Sequence, residues 1–191
     1  FDLRGHGKSG GDLQDQTISS GLQDLLAVID SMTDRPLILH GSSMGAWLCL
    51  LAALERRDQV TGLMLIAPAF NFIQHNFARL PGHILEKWRR ETYMSFPDAY
   101  SDEPYSVHFG IIKDAQQYDV INNHVQLDIP LHIVHGENDP IVPIAHTEKF
   151  IDRSDIPRLV FERIPQGEHR LTEFIPLIIS HIDRVWQETR K

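Results

Sequence analysis

The chain has 191 residues, of which 42% are hydrophobic and 23% charged, a composition ordinary for a globular domain with one core. A net charge of -8 with no basic stripe disfavours nucleic acid and anionic membrane surfaces as partners, and no apolar run approaches the ~20 residues needed to span a bilayer. Cys49 is the single cysteine, which excludes an internal disulfide and a multi-cysteine metal site and favours a reducing compartment such as the cytoplasm.

In chain order, Phe1-Asp2-Leu3-Arg4 reads as the end of a strand, with no initiator Met or targeting segment before it. The sequence is therefore expected to be part of a longer protein. Between Thr17 and Ser31, residues Ile18, Leu22, Leu25, Leu26 and Ile29 fall at helical spacing. Pro36 to His40 is a short apolar run ended by Gly41-Ser42-Ser43-Met44-Gly45, after which Ala46 to Leu54 is helix-forming and apolar on most sides. Strand character returns at Val60 to Ile66, at Leu131 to His135 and at Leu159 to Ile164. Helices are expected over Ile144 to Phe150 and Phe174 to Trp186. Strands alternating with helices predict an α/β fold, a mostly parallel sheet with helices on both faces.

Residues 1–70 and 128–191 are expected to form the core of that fold, with 71–127 as a helical lid insertion, too long for an ordinary connection. Residues 70–109 hold nine of the sixteen aromatics: Phe70, Phe72, Phe77, Trp88, Tyr93, Phe96, Tyr100, Tyr105 and Phe109. Two readings stand side by side, a small core of the insertion's own and an apolar wall for substrate.

A serine hydroxyl is a poor nucleophile at neutral pH and needs a base in hydrogen-bond reach, itself oriented by an acid. Gly41-x-Ser43-x-Gly45 sits between an expected strand and an expected helix, where the two glycines permit a strained turn that exposes the serine oxygen. The N–H of Met44, at the positive end of that helix, is the candidate oxyanion donor. Asp139 follows one strand in Gly136-Glu137-Asn138-Asp139-Pro140, and His169 follows another in Gly167-Glu168-His169-Arg170. Parallel strands end on one edge of their sheet, so Ser43, Asp139 and His169 can converge there as nucleophile, orienting acid and base.

With these motifs in place, the whole chain resembles the α/β-hydrolase superfamily from its fourth strand onward. Asp2-Leu3-Arg4-Gly5-His6-Gly7-Lys8-Ser9 matches that superfamily's Asp-x-Arg-Gly-x-Gly-x-Ser loop. Gly41 to Trp47 and the Gly136 to Pro143 loop are similar to the branch holding the mitochondrial acyl-protein thioesterase and acyl-glucuronide esterase, with their bacterial relatives. The resemblance implies three earlier strands and a second oxyanion donor that the sequence does not contain. It also implies a carboxylic ester or thioester substrate, on a small molecule or an acylated protein, with an apolar acyl group. No cofactor is expected. If the source is eukaryotic, the mitochondrial matrix replaces the cytoplasm as the expected location. A peptidase, a lipid hydrolase or a non-catalytic ligand-binding protein on the same scaffold are the alternative readings.

Other signals are discounted. Gly7-Lys8-Ser9 lacks the first glycine of a phosphate-binding loop, because Asp2 stands there. His40 and His135 match no metal-ligand spacing and read as buried, hydrogen-bonded histidines. Cys49 and Trp47 read as core, and Arg170 as a partner for a neighbouring glutamate.

Overall fold

The computed structural model describes residues 1–32, 35–97 and 102–190. Tyr100 of the expected aromatic set lies outside them. Its elements in order are α1 (Ile18–Ser31), β1 (Leu37–Ser42), α2 (Met44–Glu55), β2 (Val60–Ile66), α3 (Gly82–Glu91), β3 (Tyr93–Phe96), β4 (Tyr105–His108), α4 (Ile111–Ala115), β5 (Leu131–Gly136), α5 (Ile144–Arg153), β6 (Leu159–Ile164) and α6 (Ile175–Glu188). They fall into two compact units, Phe1–Val28 with Asn71–Tyr118 and Ile29–Phe70 with Asp119–Lys191.

The second unit is built on a four-stranded parallel sheet in the order β1-β2-β5-β6. In register, Leu39 faces Leu63, Leu63 faces Leu131 and Leu131 faces Leu159. Successive strand residues point to opposite faces, and all six residues of β5 are buried, so both faces of the sheet are covered there. That is the setting in which parallel strands read as unbroken apolar runs. Helix α2 is buried at every residue from Ala46 to Ala53. A full turn of polar surface is missing because the helix is enclosed on all sides. Against the sheet, Met64, Ile66, Ala67, Val134, Ile164, Leu171 and Ile178 form one apolar cluster, joined by Phe174, Leu177 and Ile182. Pro176 stands in the first turn of α6, where its missing N–H costs nothing.

In the first unit, Trp88 is 0% exposed and donates its indole N–H to the Val107 carbonyl at 2.9 Å. Its ring lies 5.5 Å from Phe77, 5.1 Å from Phe96 and 5.5 Å from Phe109. These aromatics therefore pack on one another, and the area each removes from water stabilises the unit. Phe70 belongs to the other unit, 4.5 Å from Phe150. The region expected to be helical also contains an antiparallel strand pair, β3 with β4, in which Ser95 faces Ser106.

Phe1 to Arg4, expected as the end of a strand, is not one. The backbone here is occupied by its own loop: His6 N–H donates to the Leu3 carbonyl at 3.0 Å, and the Ser9 hydroxyl to the Asp2 carbonyl at 2.7 Å. The carbonyls of Asp2 and Leu3 are thus engaged within the loop. Among the described residues, no helix is long and apolar enough to cross a membrane.

Candidate active site

Ser43 sits between β1 and α2 with φ 54° and ψ -121°, a region L residues avoid at a cost of about 1–3 kcal/mol. Its backbone is held there from both sides. Ser43 N–H donates to the Ile66 carbonyl at 2.9 Å, and the Ser43 carbonyl accepts from Ala46 N–H and Ala69 N–H at 3.1 Å each. The turn needs glycine at 41, where a Cβ would meet the Gly45 carbonyl carbon at 2.6 Å. Gly45 is different from the expectation: a Cβ there would meet nothing within 4 Å, so the strain is carried by Ser43 and not by a second glycine.

Ser43 precedes the first residue of α2 yet makes no side-chain cap to the helix. Its Oγ instead lies 3.0 Å from His169 Nε2. Met44 opens the helix, where the first N–H groups have no carbonyl partner one turn back.

Asp139 and His169 arrive on loops after β5 and β6, and the two loops are stitched together. Glu137 N–H donates to the Ile164 carbonyl and Asn138 N–H to the Gly167 carbonyl, both at 3.0 Å. Gly136 makes this approach possible, since any Cβ there would run into the Gly167 carbonyl and lie 2.9 Å from that of Glu168. Gly136→Ala is therefore expected to destabilise the fold by about 3 kcal/mol and to lower kcat/KM, because the loop that gives way carries His169. Chemical denaturation together with steady-state hydrolysis checks both effects.

The Asp139 side chain is 0% exposed and its carboxylate uses both oxygens. Oδ1 accepts from the N–H groups of Ile141 and Val142 at 2.8 Å each. Oδ2 accepts from His169 Nδ1 at 2.7 Å and from His135 Nε2 at 3.2 Å. Burial pushes its acidity towards the neutral form, but hydrogen bonds from His135, His169 and Val142 outweigh that and hold it well below the usual carboxylate range. A carboxylate can only accept, so His169 carries its proton on Nδ1 and presents the Nε2 lone pair to the Ser43 hydroxyl. A serine, a neutral imidazole and a fixed carboxylate in this order can transfer the serine proton as its oxygen attacks a carbonyl.

The family model described as serine aminopeptidase, S33, matches residues 1–108. The chain belongs to this α/β-hydrolase family. It is 31% identical over 189 residues to the human "Palmitoyl-protein thioesterase ABHD10, mitochondrial", covering 96% of this chain and 61% of that protein. The chain thus spans about three fifths of the length of the curated relatives it matches. Among solved structures, it resembles the mouse alpha/beta hydrolase domain-containing protein 10 with a TM-score of 0.87 and 29% identity, covering 98% of this chain and 76% of that one. A structure from Agrobacterium vitis S4 is similar at a TM-score of 0.90 and 32% identity, covering 97% and 74% of the two chains.

The other singled-out residues of this α/β-hydrolase fall as follows. Cys49 is 5% exposed on α2, and burial pushes its thiol up to about 12, so it has no thiolate to offer. Trp47 is 1% exposed and belongs to the core. His135 is buried and hydrogen-bonded as expected. His40 is not buried: β1 is the edge of the sheet, and the ring is exposed while Nδ1 lies 3.1 Å from the Met64 carbonyl. Among the described residues, no three His, Cys, Asp or Glu side chains are grouped to hold a metal ion.

Proposed function

We propose that the chain is the catalytic part of a serine hydrolase that cleaves a carboxylic ester or thioester through an acyl-enzyme on Ser43. The observation that carries this reading is the continuous path of 3.0 Å from Ser43 Oγ to His169 Nε2 and 2.7 Å from His169 Nδ1 to Asp139 Oδ2. His169 takes the Ser43 proton as Oγ adds to the acyl carbonyl, and Asp139 holds the ring in the required tautomer and stabilises its charge. The oxygen of the tetrahedral intermediate accepts from Met44 N–H at the positive end of α2, a contact worth about 3 kcal/mol in an acyl transfer. His169 then returns the proton to the departing alcohol or thiol, and a water activated by the same ring releases the acid.

The substrate class rests on the relatives, which are named as thioesterases acting on a palmitoyl group on protein. An apolar acyl group on a small molecule or a protein is accordingly the substrate we assign. Residues 71–127 take the lid role in this proposal. The test is hydrolysis of matched acyl esters and acyl thioesters of increasing chain length. Turnover with kcat/KM rising from short to long acyl chains supports the assignment, and hydrolysis confined to amides or to acetyl groups contradicts it.

A further inference from the structure

Oδ2 of Asp139 is shared by two histidines, and the second, His135, has no part in the proton path. His135 lies on β5 and is 0% exposed. Its Nε2 faces two groups that only accept: Asp139 Oδ2 at 3.2 Å and the Val142 carbonyl at 3.0 Å. Nε2 must therefore carry a proton. Its Nδ1 lies 2.9 Å from the hydroxyl of Thr147 on α5, a group that can donate to the ring's remaining lone pair. Every polar atom of the imidazole is thus used, and its tautomer is fixed by Thr147 on one side and two acceptors on the other.

We infer that His135, held by Thr147, is a positioning residue that sets the place of Asp139 Oδ2 and through it the orientation of His169; this rests on the serine-hydrolase reading above. The two amides of Ile141 and Val142 pin Oδ1 alone. A carboxylate fixed at one oxygen can still swing its other oxygen about that anchor. The His135 N–H is the third fixed point, carried on a ring that is itself wholly buried. Without it, Oδ2 has His169 as its one donor, and the two groups move together. The His169 lone pair then spends less time aimed at Ser43 Oγ, which lowers the rate of the chemical step without altering how substrate is held.

The test compares the parent with His135→Phe, which keeps a planar ring without the donor, His135→Gln, which offers an N–H, and Thr147→Val, which removes the hydroxyl behind the ring. Ring-nitrogen NMR at neutral pH is expected to show His135 protonated on Nε2 and His169 on Nδ1 in the parent. In His135→Phe the His169 Nδ1 proton signal is expected to shift upfield and broaden, and His135→Gln is expected to restore most of it. In hydrolysis, kcat is expected to fall roughly tenfold in His135→Phe, the scale of one hydrogen bond to a charged group, and about threefold in Thr147→Val, with KM nearly unchanged. If His135→Phe does not fold, Thr147→Val carries the comparison by the same two readouts. A His135 protonated on Nδ1, or a His169 signal that is the same in the parent and in the folded variants, overturns the inference. So does a loss of kcat that glutamine does not recover, since that is a packing effect. A parent that shows the expected NMR pattern but hydrolyses no ester fails the hydrolase reading and leaves the hold of His135 on Asp139 standing.

Discussion

Asp139→Asn is expected to lower kcat by about 10⁴-fold while leaving the protein folded. The reason lies in how the two oxygens are used. Oδ1 accepts from two backbone N–H groups, so the asparagine oxygen must take that place and its amide nitrogen must occupy the position of Oδ2. That nitrogen is a donor, and it faces His169 Nδ1, 2.7 Å away in the parent. His169 is then forced to keep its lone pair on Nδ1 and its proton on Nε2, which points at Ser43 Oγ and cannot accept from it. Stability should respond to pH with a definite sign. The folded-state acidity of Asp139 lies below the ordinary value of 3.8, so its contribution is present above that pH and is lost as pH falls through the folded value. The stability difference between the parent and Asp139→Asn should therefore shrink below about pH 4. Urea unfolding at a series of pH values, with kcat from ester hydrolysis, checks both halves.

Ser43→Ala is expected to remove turnover almost completely, on the order of 10⁶-fold in kcat, because it takes away the hydroxyl that His169 Nε2 meets at 3.0 Å. The fold should be little affected. The bonds that hold the turn are made by the Ser43 backbone, to Ile66, Ala46 and Ala69, and alanine keeps all of them. The side chain caps no helix end, so its loss leaves no orphaned N–H in α2. A change in unfolding free energy within about 1 kcal/mol of the parent is expected, the scale of one neutral hydrogen bond. A variant that lost stability along with activity would assign Ser43 a structural role instead.

Most of the parallel sheet and its helices were legible because burial on both faces leaves a plain mark in sequence. β2 runs over the residues its apolar stretch delimits, Val60–Ile66, and is buried at all but Thr61, whereas β6, Leu159–Ile164, is an edge strand buried only at Ile164 and was marked by its β-branched and aromatic residues. Of the five residues whose spacing marked α1, Ile18, Leu22, Leu25 and Ile29 are buried and Leu26 is partly so. The strand pair Tyr93–Phe96 and Tyr105–His108 was not legible. Four-residue strands carry little alternation of their own, and these depend on a partner strand and on Trp88, whose indole bonds to Val107. Phe1 to Arg4 misled for the converse reason: apolar residues suggested a strand, whereas strand formation needs a partner for the backbone, and Asp2 and Leu3 instead accept from Ser9 and His6.

The candidate site was legible in part. Ser43, Asp139 and His169 follow strand ends in an order that lets them meet, and the structure brings their side chains together. The positive φ of Ser43 was concealed by the flanking glycines, which drew the strain to themselves on paper. The part of His135 could not be read from its place four residues before Asp139, since the Val142 carbonyl and the Thr147 hydroxyl that fix its tautomer reach the ring only through the folding of the loop and of α5.

The central claim is that Ser43 is an activated nucleophile, and intact mass after treatment with a fluorophosphonate probe tests it most directly. One adduct per chain is expected on the parent, with none on Ser43→Ala and none on His169→Ala at the same exposure. An unmodified parent that is folded, or an adduct that persists in Ser43→Ala, would contradict the claim.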